Sequence, residues 1–307
     1  MNFKNKIVND LAWVIGSVPL MSFNPEVNRY HELDQKWFYD EFQRCHGFLL
    51  DLDRNPHTLE GFVNSEIKGR QLLGKRFEKF IEFWLRESGR FEILISNHQI
   101  KESNRTVGEV DFVAKELSSS RLYHFEVACK YYLSSKNSKM WTNWVGLNAK
   151  DTLADKMEKF QKQLTIFDTK SGKNFLQEIK LERPKSYLLM KGYFFYYWKE
   201  VARPNIPKSA NPYHNTGIYV KQNESKEFFS GTNSWKILKK KNWFSPFVSS
   251  SLQDLMPEYI ISGRVSELIA EFKSSVMLAR MVEDNSHWVE DLRVIITPKS
   301  WPNKTYN

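Results

Sequence analysis

The segment between Gly108 and Tyr131 constrains the fold of this chain more than any other part of it. Apolar and polar residues alternate along 109–113 and again along 124–130, and a polar, serine-containing turn separates the two runs. A period of two residues is typical of β-strands whose two faces differ. The sequence therefore predicts a β-hairpin at this place.

Charged side chains fall on one side of the predicted hairpin. Because side chains repeat every two residues, Asp111 on the first strand can lie beside Glu126 on the second. Lys130 follows on the same face as Glu126. Two carboxylates and an ammonium group at the end of a hairpin form a candidate site for a divalent cation.

The patterns around the hairpin predict an α/β core. A helix within 65–89 and a strand at 91–97 precede the hairpin, and a second helix starting near Asn148 and an aromatic strand at 185–198 follow it. This order is typical of a central mixed sheet flanked by helices.

We divide the chain into three segments on this basis. Residues 1–64 read as a helical lead-in packed on the core, and residues 65–198 as the α/β core itself. Residues 199–307 read as a C-terminal α/β extension that is continuous with the core.

Charge and cysteine content limit the classes of function. The chain carries 45 Lys and Arg against 36 Asp and Glu, a net charge of +9 that slightly favours a polyanionic partner. With only two cysteines, a disulfide framework and a thiolate zinc site are excluded, which fits a reducing cytoplasm and no disulfide-linked partner. No run approaches the ~18 apolar residues of a transmembrane helix, so we expect no membrane partner. The apolar stretch after Asp10 is interpreted as a buried helix, with a signal peptide as the alternative.

A third carboxylate comes from the helix before the hairpin. Glu78 lies in a stripe with Arg70, Gly74 and Glu82 at four-residue spacing, beside the apolar face of that helix. The alternative for Glu78 is a solvated acidic position on a surface helix.

Other common chemistries lack their motifs in this sequence. It has no phosphate-binding loop, no Gly-x-Ser-x-Gly elbow and no His-x-x-x-His pair. The set Glu78, Asp111 and Glu126 offers hard oxygen ligands, which suit Mg²⁺ or Mn²⁺. Such a cation activates water for phosphodiester hydrolysis, and Lys130 is placed to orient that water or to stabilise developing charge.

These motifs resemble those of the PD-(D/E)XK, or restriction-endonuclease-like, nuclease superfamily. The match consists of Glu78 in LGKRFEKFIEFWL, Asp111 in GEVDFVA and Glu126 in HFEVACK. More broadly, the chain resembles an uncharacterised bacterial family placed in that superfamily, through LAWVIGSVPL, LGKRFEKFIEFWL, GEVDF, HFEVACKYYL, WVGLNAKDTLADK and RVIITPKSWP. The resemblance implies a central mixed sheet, a divalent-metal site and nucleic-acid cleavage, with Glu78, Asp111, Glu126 and Lys130 as the catalytic set.

The sequence departs from the superfamily pattern at one position. The pattern places a lysine two residues after the second acidic residue, where this chain has Ala128, and the lysine comes at Lys130. Two residues along a strand span ~6.6 Å, which is comparable with the length of a lysine stem. Lys130 can therefore reach back to the metal, or it can pair with Glu126 as a structural salt bridge. Lys156 on the following helix is another possible replacement.

Two further groups of residues are candidates for nucleic-acid contacts. Lys156 and Gln163 line the polar face of the second helix. Near the C-terminus, lysines alternate with aromatic residues, a combination that suits phosphate contacts and base stacking: Lys236, Lys239, Lys240, Lys241 and Trp243. The alternative is a lysine-rich edge strand that resists aggregation.

The sequence thus favours a divalent-metal-dependent nuclease that hydrolyses DNA or RNA. A catalytically degenerate nucleic-acid-binding module is the second hypothesis. A protein-interaction adaptor that uses the aromatic C-terminal half is the third.

Overall fold

Helices and strands form a mixed sheet flanked by helices, which confirms the predicted α/β class. The structure is a computed structural model that describes residues 3–22, 33–65, 73–103, 105–202 and 204–302. Arg70, which the sequence places in the stripe of Glu78, lies outside these residues.

The helices of the described residues follow in chain order. They are α1 (Lys6–Gly16), α2 (Gln35–Arg44), α3 (His46–Arg54), α4 (His57–Asn64), α5 (Leu73–Glu87), α6 (Leu153–Leu164), α7 (Lys170–Glu178), α8 (Ser225–Phe228) and α9 (Glu258–Phe272). Helix α6 starts later than expected from Asn148. Thr152 and Asp155 exchange side-chain and backbone hydrogen bonds of 2.8 to 3.2 Å at its N-terminus, which makes Thr152 the cap.

The strands follow in chain order. They are β1 (Phe91–Glu102), β2 (Arg105–Glu116), β3 (Leu122–Ser134), β4 (Trp144–Gly146), β5 (Lys185–Tyr197), β6 (Thr216–Lys221), β7 (Ser234–Ile237), β8 (Val248–Ser249), β9 (Met256–Pro257), β10 (Val276–Asp284) and β11 (His287–Thr297).

The chain divides into two compact units with boundaries that differ from the three sequence segments. The first unit contains Met1–Cys129 and Lys156–Lys191, and the second contains Lys130–Asp155 and Gly192–Asn307. The chain passes between the units inside β3, α6 and β5. A composition-based division cannot detect such boundaries, because no linker marks them.

In the first unit, β1, β2 and β3 are consecutive antiparallel neighbours. The β2–β3 pair runs from Lys115 opposite Leu122 to Phe112 opposite Phe125, and this confirms the predicted hairpin. The pairing of β1 with β2 extends to Glu102 opposite Arg105. The polar sequence over 99–107 predicts a turn or loop, but β1 continues to Glu102 and β2 begins at Arg105, so the strands are longer than expected.

Helix α5 packs its apolar stripe into the core of the first unit, as its spacing predicts. Its buried apolar residues are Phe77, Phe80, Ile81, Phe83, Trp84 and Leu85. The helix ends before Gly89, whose φ of 71° is a conformation that favours glycine. Trp84 also donates its indole N–H to the buried carboxylate of Glu41 on α2, at 2.8 Å.

The second unit combines parallel and antiparallel strands. Strand β6 lies parallel to both β5 and β11, and β10 pairs antiparallel with β11 and β7. Helix α9 covers these strands with Ile261, Val265 and Ile269. The sequence over 262–282 predicts one amphipathic helix, but α9 ends at Phe272 and Val276–Asp284 forms β10 instead.

Two findings bear on the expected environment of the chain. Within the described ranges, no helix is both long enough and apolar enough to span a membrane. Cys45 and Cys129 are buried, and neither forms a disulfide within the described residues.

Candidate functional site

Asp111 and Glu126 lie at the point where the β2–β3 ladder ends. The last backbone pair is Phe112 with Phe125. One step further, the backbone N–H of Asp111 donates to Glu126 Oε1 at 3.3 Å, and the N–H of Val127 donates to Asp111 Oδ2 at 2.8 Å. The side chains thus replace the hydrogen bonds of the ladder, and this brings the two carboxylates together. Their predicted adjacency is confirmed.

The two carboxylates are poorly solvated. Glu126 is completely buried, and its Oε2 has no hydrogen-bond partner among the residues that the structure describes. Burial and the charge of Glu126 raise the pKa of Asp111 to about 7. Burial raises the pKa of Glu126 to about 8. Raised pKa values in both acids indicate that the neighbouring positive charges do not fully compensate the two carboxylates.

His124 and Ser186 form a buried hydrogen-bonded chain that ends at Glu126. His124 precedes Glu126 by one strand repeat, and its Nε2 lies 2.9 Å from Glu126 Oε1. Its Nδ1 lies 3.0 Å from Ser186 Oγ on β5. Burial lowers the pKa of His124 to about 4, so the imidazole is neutral near neutral pH.

The charges of Lys75 and Lys156 act on this pair. The charge of Lys156 on α6 lowers the pKa of Glu126 against the effect of burial. Lys75 on α5 forms an ion pair with Glu78 at 2.6 Å, and this hydrogen bond, with the charges of Glu109 and Asp111, raises the pKa of Lys75. Four acidic residues and two lysines therefore act on one another in the first unit.

Glu78 does not complete a three-ligand metal set. Its carboxylate is engaged by Lys75. In the described part of the chain, no three His, Cys, Asp or Glu side chains are grouped closely enough to hold a metal ion. The site therefore consists of Asp111 and Glu126, with Glu78 as an electrostatic neighbour that also raises the pKa of Asp111.

Lys130 belongs to the second unit, where it forms an ion pair with Asp151. Its Nζ lies 2.9 Å from Asp151 Oδ2, and the hydroxyl of Tyr132 donates to the same oxygen at 3.4 Å. The structural salt bridge that the sequence allowed for Lys130 is present, but its partner is Asp151 rather than Glu126.

The predicted nucleic-acid contacts separate into exposed and buried groups. Lys239, Lys240 and Lys241 are exposed after β7. Lys236 is partly buried and donates to the Asp254 carbonyl at 2.9 Å. Trp243 is only 8 % exposed and donates its indole N–H to the Leu238 carbonyl, so its ring offers no surface for base stacking.

Gln163 on α6 is buried at 8 % exposure. Its Oε1 has no hydrogen-bond partner in the portion that the structure describes. A buried side chain of this kind does not present itself to a nucleic-acid backbone on the surface.

The comparison with protein families identifies the chain. A family model described as a domain of unknown function, DUF1853, matches residues 9–297. The chain belongs to the DUF1853 family. No curated protein matches it, and neither does any solved structure. The DUF1853 match includes the whole hairpin that carries Asp111 and Glu126.

Sequence reasoning missed four residues of this DUF1853 site. Glu109 and His124 were visible in the alternation of the hairpin, on the strands that carry Asp111 and Glu126. Lys75 precedes Glu78 by three residues, a spacing that places the two side chains on one helix face. No local sequence pattern pointed to Ser186, because it is 62 residues away in the chain from His124, to which it is hydrogen-bonded.

Proposed function

We propose that this DUF1853 protein hydrolyses phosphodiester bonds of nucleic acid with a divalent cation held by Asp111 and Glu126. One observation carries the proposal. Two adjacent carboxylates take the place of ladder hydrogen bonds, and Glu126 Oε2 is buried without a partner in the described ranges. Burying like charges together is costly unless a positive charge compensates them.

The available donors fit Mg²⁺ or Mn²⁺. Magnesium sites in proteins commonly use one or two carboxylates and leave the remaining positions to water and substrate phosphate. Asp111 and Glu126 supply two such groups of hard oxygen donors. When bound, the cation polarises a phosphoryl oxygen and promotes ionisation of a water nucleophile.

We assign to Lys156 the supporting positive charge that the sequence assigned to Lys130. The charge of Lys156 already favours the ionised form of Glu126, whereas Lys130 is engaged by Asp151. A lysine beside the carboxylates stabilises the charge that develops on a phosphoryl group during hydrolysis. Hydrolysis adds water across one P–O ester bond, with one proton leaving the water and one reaching the departing oxygen.

A nucleic-acid-binding module without hydrolytic activity is the second candidate. The ion pair of Lys130 with Asp151 supports this second candidate. Lys130 is the strand lysine of the nuclease pattern, and here it has a structural partner instead of a catalytic role. The exposed lysines at 239–241 supply phosphate contacts in either case.

Both candidates are tested with purified protein on single- and double-stranded DNA and RNA, with Mg²⁺, Mn²⁺ or EDTA. Asp111→Asn keeps the size of the side chain and removes its charge, and Asp51→Asn on the exposed face of α3 is the matched control. We expect metal-dependent cleavage that Asp111→Asn reduces by at least about 100-fold and that Asp51→Asn preserves. Equal cleavage by both variants overturns the nuclease proposal. Metal-independent binding without cleavage selects the binding module.

A further inference from the structure

A buried chain of hydrogen bonds runs from Ser186 through His124 to Glu126. The two distances are 3.0 Å from Ser186 Oγ to His124 Nδ1 and 2.9 Å from His124 Nε2 to Glu126 Oε1. His124 and Glu126 are completely buried, and Ser186 is 6 % exposed. The proposed hydrolysis assigns no role to Ser186 or His124.

The imidazole ring of His124 has little freedom to turn. Phe167 packs edge-on against it, with ring centroids 5.0 Å apart and planes at 74°. A neutral imidazole has one donor and one acceptor nitrogen. When Glu126 is ionised, its oxygens only accept, so Nε2 of His124 carries the proton. Nδ1 then accepts the hydroxyl proton of Ser186.

The two oxygens of Glu126 are consequently unequal. Oε1 receives the imidazole N–H of His124 and the backbone N–H of Asp111, the latter at 3.3 Å. Oε2 receives no donor from the residues that the structure describes. A donor that engages one oxygen fixes the rotation of the carboxylate and so selects the oxygen that remains for a ligand.

We propose that His124, itself oriented by Ser186, is a positioning residue that holds Glu126 through Oε1 and directs Oε2 to the divalent cation. The inference rests on the proposed cation site. It adds the binding mode of Glu126, which is through one oxygen, and the residues that enforce it.

Three variants and one control distinguish a role of His124 in orienting Glu126 from a role in packing the core. His124→Leu fills the space without a donor, and His124→Gln keeps an N–H donor. Ser186→Ala leaves the imidazole without the hydroxyl that selects its tautomer. His214→Leu is the control, because His214 is also buried and hydrogen-bonded, to Tyr196 Oη at 2.8 Å in the second unit.

Affinity for Mn²⁺, measured by the electron paramagnetic resonance signal of free Mn²⁺, reports the effect. We expect His124→Leu to weaken binding by about 10- to 100-fold, with His124→Gln restoring most of the loss. We expect Ser186→Ala to have a smaller effect and His214→Leu none. Binding by His124→Leu as tight as in the wild type, while Asp111→Asn abolishes it, overturns this inference and leaves the cation site intact.

Absence of Mn²⁺ binding by the wild type overturns the cation site itself, and this inference with it. A readout that does not need a folded variant is the ¹⁵N spectrum of histidine in the Mg²⁺-loaded wild type. We expect His124 to be neutral with its proton on Nε2. A proton on Nδ1 contradicts the proposal.

Discussion

The backbone N–H of Asp111 donates to Glu126 Oε1 at 3.3 Å, at the step where β2 and β3 stop pairing through their backbones. A register of ordinary ladder bonds would keep both side chains on the sheet face without turning them toward the neighbouring strand. Here the carboxylates bind the backbone amides themselves, and this concentrates negative charge between the two strands.

This concentration of charge gives the metal-free protein a characteristic pH dependence. The pKa values of Asp111 and Glu126, about 7 and about 8, lie above the ordinary values of 3.8 and 4.5. The folded state therefore keeps protons that the unfolded state has released. The contribution of these groups to the free energy of unfolding is present at low pH and is lost as pH rises toward 8.

Asp111→Asn and Glu126→Gln each replace an ionisable carboxyl by a neutral amide, so the corresponding loss of free energy of unfolding at high pH disappears. In EDTA at about pH 8, we expect each to raise the free energy of unfolding by about 2 to 4 kcal/mol over wild type, and at about pH 4, near the ordinary pKa values of the two acids, to change it little. Urea unfolding at the two pH values measures the difference, in which other titrating groups cancel. A variant that is less stable than wild type at the higher pH contradicts the assigned environment.

The roles of Lys130 and Lys156 are separable by substitution with methionine. Lys130 and Asp151 are 31 % and 40 % exposed, so Lys130→Met should cost less than about 1 kcal/mol of stability and leave hydrolysis largely intact. Lys156→Met removes a charge that acts on Glu126, and we expect hydrolysis to fall by about 100-fold. Single-turnover cleavage rates measure both. If Lys130→Met lowers the cleavage rate more than Lys156→Met does, Lys130 rather than Lys156 supplies the positive charge for hydrolysis.

The exposed lysines at 239–241 are expected to contact phosphates. Changing Lys239, Lys240 and Lys241 together to glutamine should weaken nucleic-acid binding and lower the salt dependence of the affinity by about 0.9 per lost contact on duplex DNA. The matched control changes the exposed Lys170, Lys173 and Lys180 in the same way. Equal losses for the two triple variants indicate a general charge effect and remove the assignment.

Stability of the first unit depends on the buried carboxylate of Glu41. Burial opposes its ionisation, but hydrogen bonds and charges from Arg44 and Arg90 outweigh burial and keep the pKa of Glu41 below its ordinary value. Glu41→Gln removes the anion of Arg44 and one of the two anions of Arg90. Arg90 keeps Glu116, and we expect a loss of about 3 kcal/mol or more in the free energy of unfolding. Asp40→Asn, in an exposed ion pair on the same helix, should cost less than about 1 kcal/mol. Urea unfolding distinguishes the two.

The fold was predictable where one strong periodicity marked an element. The hairpin and helix α5 each show such a pattern and lie where it places them, and β5 lies at the continuous apolar, aromatic run that predicts a buried strand. The polar side chains over 99–107 give no alternation and so suggest a turn or loop, although β1 continues to Glu102 and β2 begins at Arg105. The sequence over 262–282 suggests one amphipathic helix, but the helix ends at Phe272, Lys273 follows it in the left-handed conformation with φ of 49°, and β10 begins at Val276.

The candidate site was predictable in its local part only. The adjacency of Asp111 and Glu126 follows from the two-residue period of a hairpin. The partner of Lys130 and the burial of Trp243 depend on contacts between distant parts of the chain, which periodicity does not encode. Ser186 reaches the site from β5 for the same reason.

The proposed hydrolysis depends on a divalent cation that Asp111 and Glu126 hold together. Anomalous scattering from crystals soaked in Mn²⁺ tests it most directly. We predict an anomalous peak bound by Asp111 and by Glu126 Oε2, at the metal–oxygen distance of about 2.1 Å that hard cations such as Mg²⁺ adopt. The peak should be absent from crystals of Asp111→Asn. Full occupancy by Mn²⁺ at other positions, with no peak between these two carboxylates, would contradict the account.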